Sequence, residues 1–172
     1  MPINRSFAFV WEKTYLKNTS FNTENCAIKA IFRATIMITN PGIKTILIGE
    51  DDPDDQELLK EVFSSIESSY SLIFTSNGLQ LLSYLKSSID KQLPGLIILD
   101  YNMPGLNGAE ILKELSNNEY KDIPKIIWST SGSETYKNIC LELGASDYIV
   151  KPSRISDLVE VGRYMFSFYK DN

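Results

Sequence analysis

Apolar residues recur along this chain in two alternating rhythms. Short runs bounded by Gly, Pro or acidic residues, from Thr45 to Gly49, Leu72 to Phe74, Leu96 to Leu99, Ile126 to Trp128 and Tyr148 to Val150, read as strands. The third is too continuously apolar for a half-exposed strand and predicts burial on both faces. Between the runs, helical spacing links Leu58, Leu59, Val62, Phe63 and Ile66, then Leu81, Leu82, Leu85 and Ile89, then Ile111, Leu112 and Leu115. Ile139, Leu141 and Leu143 place a fourth helix that stops at Gly144, and Leu158, Val159, Val161, Met165 and Phe166 place a fifth. Five βα units demand parallel pairing through right-handed crossovers. The expected fold class is therefore α/β, a doubly wound five-stranded parallel sheet between two helical layers.

Size supports one such domain, since 172 residues at 43% apolar can bury a respectable core. Cys26 and Cys140 give neither a disulfide framework nor metal-ligand spacing, so reduced thiols and a cytoplasmic location are expected. No apolar stretch approaches a membrane span, and the start does not read as a signal peptide. The chain has no histidine, which excludes imidazole acid–base chemistry and histidine-ligated zinc.

Charge divides the chain unevenly. Residues 1–43 hold Arg5, Lys13, Lys17, Lys29 and Arg33 against Glu12 and Glu24, a net +3, whereas the remainder carries −8. Three readings of this N-terminal extension compete: a flexible or loosely helical tail, a basic amphipathic helix around Ala27 to Ile38 that docks on a partner or membrane surface, or sequence upstream of a natural start at Met37. The position of Met37 just before the first strand favours the last, with a domain boundary at 43/44. Only Lys170-Asp171-Asn172 remains after the last helix of the domain at 44–170, so no DNA-binding or catalytic output module is expected there, and an acidic surface repels nucleic acid.

The strand ends carry the chemistry. Leu96–Leu99 delivers Asp100 into the loop Tyr101-Asn102-Met103-Pro104-Gly105-Leu106-Asn107-Gly108, at the edge where open α/β sheets place ligands. The first strand runs into Glu50-Asp51-Asp52-Pro53-Asp54-Asp55. A helix start, with an Asx cap, Pro in the first turn and acids facing the dipole, accounts for Asp52, Asp54 and Asp55. It does not account for Glu50 and Asp51, which come directly off the strand and share the sheet edge with Asp100. Carboxylates that converge repel unless a cation lies between them, and hard oxygen ligands suit Mg²⁺. The fourth strand ends in Ser129-Thr130-Ser131 and the fifth in Lys151-Pro152, adding a hydroxyl and a fixed positive charge. Taken singly, each of these is an ordinary capping or surface residue. Together they form a phosphoryl-transfer inventory.

From about Lys44 to Tyr169 the chain resembles the receiver domain of two-component response regulators, and most of all the stand-alone chemotaxis and phytochrome-partner types. The family pattern is an acidic pair after strand one, a phosphoacceptor Asp followed by Met-Pro and Gly after strand three, Ser or Thr after strand four, and Lys-Pro after strand five. Glu50-Asp51, Asp100 with Met103-Pro104 and Gly108, Ser129, and Lys151-Pro152 match it in order. With the family's usual helix length, counting back from Gly144-Ala145 selects Ser129 from the three hydroxyls. The interval between Asp51 and Asp100 is some five residues longer than in the shortest receivers, and the extra length is placed around Ser87 to Pro94.

The resemblance implies a flavodoxin-like sheet of order 2-1-3-4-5. It implies Mg²⁺ held by Asp51, Asp100 and the backbone carbonyl of Asn102, with Glu50 acting through water, and a phosphoryl group passed to Asp100 from a sensor histidine kinase or a histidine phosphotransfer protein. Ser129 and Lys151 contact that group, and Tyr148 matches the aromatic that turns inward on activation. A downstream protein would bind the face made by helix 4, strand 5 and helix 5, where a phosphorylation-dependent homodimer also fits. Such a protein is a switch, not an enzyme on a separate substrate. Lys151 is expected to pair with Asp100 and lower its pKa, and Pro152 is expected to be cis. Two alternatives are a haloacid-dehalogenase-like aspartyl phosphatase, which needs an acid where Asn102 stands, and a receiver-like scaffold that is never phosphorylated.

Overall fold

The computed structural model describes residues 44–170, apart from 67–69, 88–92 and 118. Five strands and five helices alternate: β1 (Lys44–Gly49), α1 (Pro53–Ile66), β2 (Tyr70–Thr75), α2 (Gly78–Ser87), β3 (Leu96–Asp100), α3 (Gly108–Leu115), β4 (Lys125–Ser129), α4 (Glu134–Glu142), β5 (Asp147–Val150) and α5 (Ile155–Phe166). The strands pair in parallel in the order β2-β1-β3-β4-β5, as the resemblance implied. The central strands β3 and β4 are buried at every position, and the edge strands β2 and β5 are partly open.

Period-two alternation sorts side chains to the two faces of the sheet. Ile46, Ile48, Ile98, Ile126 and Trp128 pack under α1 and α5 with Leu59, Phe63, Leu158 and Met165. Leu47, Ile97, Leu99 and Ile127 pack on the other side with Leu81, Leu85, Ile111, Leu112 and Cys140 from α2, α3 and α4. The two helices of the first layer meet closely, since a Cβ on Gly162 of α5 would clash with Val62 Cγ1 of α1.

Local chemistry fixes the helix ends. Asp52 caps α1 by accepting the Asp54 amide at 2.8 Å ahead of Pro53, and Asn107 and Glu110 form a reciprocal capping box at the start of α3. The fourth helix departs from its expected reading. It ends at Glu142, Leu143 is its C-cap, and Gly144 turns the chain with φ +93°. Cys140 is its buried residue, whereas Ile139 and Leu141 face outward. The N-terminal segment 1–43, Ile89 and most of the longer α2–β3 interval lie outside the described residues.

Candidate functional site

The carboxyl ends of β1, β3, β4 and β5 bring the chemical groups together. Glu50 leaves β1 with its backbone amide donated to the Thr75 carbonyl, 3.0 Å away, which pins it at the sheet edge. Its carboxylate is almost fully buried, accepting the Asp52 amide at 3.2 Å and the Lys151 ammonium at 2.8 Å. Asp51 is half-buried beside it, and Asp100 is buried at the end of β3. One oxygen from each of Glu50, Asp51 and Asp100 lies within 4.8 Å of the others. Three carboxylates this close, on a rim that opens to solvent at Asp51, suit a hard divalent cation.

The loop after Asp100 doubles back tightly. Gly108 donates to the Tyr101 carbonyl at 2.9 Å, and a Cβ on Gly108 would press on Asp100 O, Tyr101 Cα and Ile127 Cδ1, all at 3.2 Å. Met103 plugs the loop from beneath, buried. Asn102 is exposed, and the Tyr101 amide donates to the Trp128 carbonyl at 3.2 Å, which ties the start of the loop to β4. Ser129 is fully buried at the end of β4, whereas Thr130 is exposed. Ser129 Oγ accepts the Ser131 amide at 3.2 Å, and its carbonyl accepts the Lys151 amide at 2.7 Å, tying the two strand ends together.

Lys151 forms the expected ion pair with Asp100, but two other carboxylates lie closer to it. Its Nζ lies 2.6 Å from Asp55 Oδ2, 2.8 Å from Glu50 Oε2 and 3.8 Å from Asp100 Oδ1. Burial works against its charge, yet the hydrogen bonds to Asp55 and Glu50 prevail and raise its pKa. Asp100 departs from expectation, its pKa being raised rather than lowered. Burial pushes it up, and Lys151 and the amides of Asn102 and Tyr101 compensate only in part. Burial likewise raises Glu50 against the pull of the lysine.

Two further corrections concern β5. The Lys151–Pro152 bond is trans, the form that tertiary amides favour by about 0.5–1 kcal/mol when no neighbour imposes cis. Tyr148 already points inward: its ring is 5% exposed and its hydroxyl donates to the Ser131 carbonyl at 2.8 Å.

Three residues escaped the sequence reading. Asp55 was absorbed into the helix start, although with Asp52 as N-cap it occupies the third helical position, from which a side chain reaches back over the helix end. Tyr101 and Tyr136 stack with ring centroids 4.8 Å apart, joining the acceptor loop to α4, and no spacing rule announces a contact between residues so far apart.

A buried carboxylate at the β3 end, two acids after β1, a hydroxyl after β4 and a lysine after β5, all on a 2-1-3-4-5 parallel sheet, define a receiver. The family model described as the response regulator receiver domain matches residues 46–163, and the chain belongs to that family. It is similar to the response regulator Rcp1 of Synechocystis sp., with 31% identity over 130 residues that cover 73% of this chain and 88% of Rcp1. The structure of Rcp1 in its Mn²⁺-bound form superposes with a TM-score of 0.66, covering 73% of this chain and 93% of that one. The phosphorylated cyanobacterial phytochrome response regulator RcpA superposes at 0.67 with 26% identity, covering 74% and 94%. The response regulator GtcR of Aneurinibacillus migulanus is 42% identical over 110 residues, 63% of this chain but 42% of that longer protein. Among the described residues, no helix is long and apolar enough to cross a membrane.

Proposed function

We propose that this chain is a phosphoryl-switched interaction protein, a response-regulator receiver working in the cytoplasm. The observation that carries the reading is the convergence of Glu50, Asp51 and Asp100 at one sheet edge, with Lys151 paired to Glu50 and Asp100. The donor is a phosphohistidine on a sensor histidine kinase or a histidine phosphotransfer protein. An oxygen of the Asp100 carboxylate attacks phosphorus and the P–N bond to the donor imidazole breaks. The electron pair and a proton return to the imidazole, leaving an aspartyl phosphate. Asp51, Asp100 and the Asn102 carbonyl would hold Mg²⁺, with Glu50 through water, and the ion's positive charge would offset that of the phosphoryl oxygens. Lys151 meets a second phosphoryl oxygen and Ser129 donates its hydroxyl to a third.

The output is a change of binding surface. The face of α4, β5 and α5 exposes Ile139, Val150, Val159 and Tyr164, apolar groups that suit a protein partner or a second, phosphorylated copy. Asn102 disfavours a haloacid-dehalogenase-like phosphatase, because an amide cannot donate the proton that a general acid supplies at that position. An unphosphorylated scaffold would have no need of so complete a site.

The test is incubation with beryllofluoride and Mg²⁺, or with acetyl phosphate, followed by mass spectrometry and calorimetry. Modification is expected at Asp100 alone and should vanish in Asp100→Asn, while Asp51→Asn should weaken Mg²⁺ binding at least about tenfold. Stoichiometric phosphate on another residue of Asp100→Asn would overturn the assignment.

A further inference from the structure

The Lys151 ammonium has three donors, and two are committed to carboxylates that are not the phosphoacceptor. Its shortest contact, 2.6 Å, is to Asp55 of α1, while Asp100 at 3.8 Å is beyond hydrogen-bonding range. The two partners are unequal in freedom. Glu50 is buried, anchored by its own backbone and by the Asp52 amide, and cannot withdraw. The Asp55 side chain is 31% exposed on the first turn of α1, so on losing the lysine it would be taken up by water at modest cost.

We propose that Asp55 is a positioning residue that parks Lys151 away from Asp100 in the unmodified chain, so that phosphoryl binding requires the lysine to leave Asp55 while keeping Glu50. This rests on the reading that Asp100 accepts the phosphoryl group. When an anionic oxygen is added at Asp100, it comes nearer to the ammonium than the carboxylate itself. The third donor is free, but Nζ at 3.8 Å from Asp100 must move to use it, so Asp55 and that oxygen compete for the position of one ammonium, and Asp55 is the partner that solvent can replace. Asp55 therefore biases the chain toward its unmodified state without touching the transferred group.

A double-mutant cycle at saturating Mg²⁺ tests this, with beryllofluoride as the phosphoryl probe and its affinity read by calorimetry in wild type, Asp55→Asn, Lys151→Met and the double variant. With Lys151 present, Asp55→Asn should tighten beryllofluoride binding by about fivefold, the lower end for a charge-assisted bond whose partner is partly exposed. With Lys151→Met, the same change should move the affinity less than about twofold. Equal effects in both backgrounds would reduce Asp55 to a general negative charge, and no effect beside Lys151 would remove it from the mechanism. Should wild type fail to take beryllofluoride at Asp100, the functional reading falls on its own account. The parking contact is then read directly from the Lys151 ammonium resonance, which Asp55→Asn must shift. An unmoved resonance overturns the proposal.

Discussion

Tyr148 donates its hydroxyl to the Ser131 carbonyl while its buried ring meets Tyr101 edge-on, 6.4 Å between centroids. The bond joins β5 to the loop that begins at Ser129, so ring and loop hold each other in place before any phosphoryl group arrives. Tyr148→Phe keeps the ring and removes the bond, and its expected cost is about 1 kcal/mol. Urea unfolding measures this, and an unchanged midpoint would mean that water replaces the hydroxyl without loss. Residues of this kind mark the limit of what the chain announces in one dimension. Asp100, Ser129 and Lys151 were legible because each ends an apolar run. Asp55 was not, because an acid in the first turn of a helix already has a sufficient local reason to be there. That Lys151 lies closer to Glu50 and Asp55 than to Asp100 depends on ångström-scale reach across the sheet edge.

Among the elements, β4 begins with a lysine that pattern alone would leave in water. Lys125 is instead buried, and its ammonium donates to the carbonyls of Tyr120, Lys121 and Ile123 at 2.7, 3.0 and 2.8 Å, which holds the turn before β4. Burial pushes its pKa from 10.5 down to about 8. In the unfolded chain the same lysine keeps its proton up to the ordinary value, so between these limits the unfolded state binds more protons and this group's contribution to stability rises with pH. The contribution is complete above 10.5 and is lost as pH falls through 8. Unfolding free energies of wild type and Lys125→Met should therefore diverge in favour of wild type between pH 8 and 10, and a constant gap would show that Lys125 does not titrate there. The apolar runs and helical faces were readable since burial dictates them. The exception was α4, where Cys140 alone faces the core and the larger Ile139 and Leu141 mislead a count of apolar residues.

At the scale of the molecule, the acids of β1 and β3 are separated by about fifty residues of chain and meet only when those strands lie side by side. The unfolded chain offers no such cluster, so Mg²⁺ should bind the folded state alone. At a hundred times its dissociation constant it would add about 2.7 kcal/mol. Thermal unfolding should shift upward by several degrees in MgCl₂ relative to NaCl of equal ionic strength, and Asp51→Asn should lose most of that shift. The topology needed for this was legible in the βα alternation, whereas the balance of charge at the sheet edge was not. That balance also sets an order of events. Every carboxylate of the site precedes residue 101, and Lys151, the one ammonium that meets them among the described residues, arrives fifty residues later, directly after β5. A chain folding as it emerges would hold a self-repelling acidic rim until its last strand docks, so closing the sheet is the step that neutralises it.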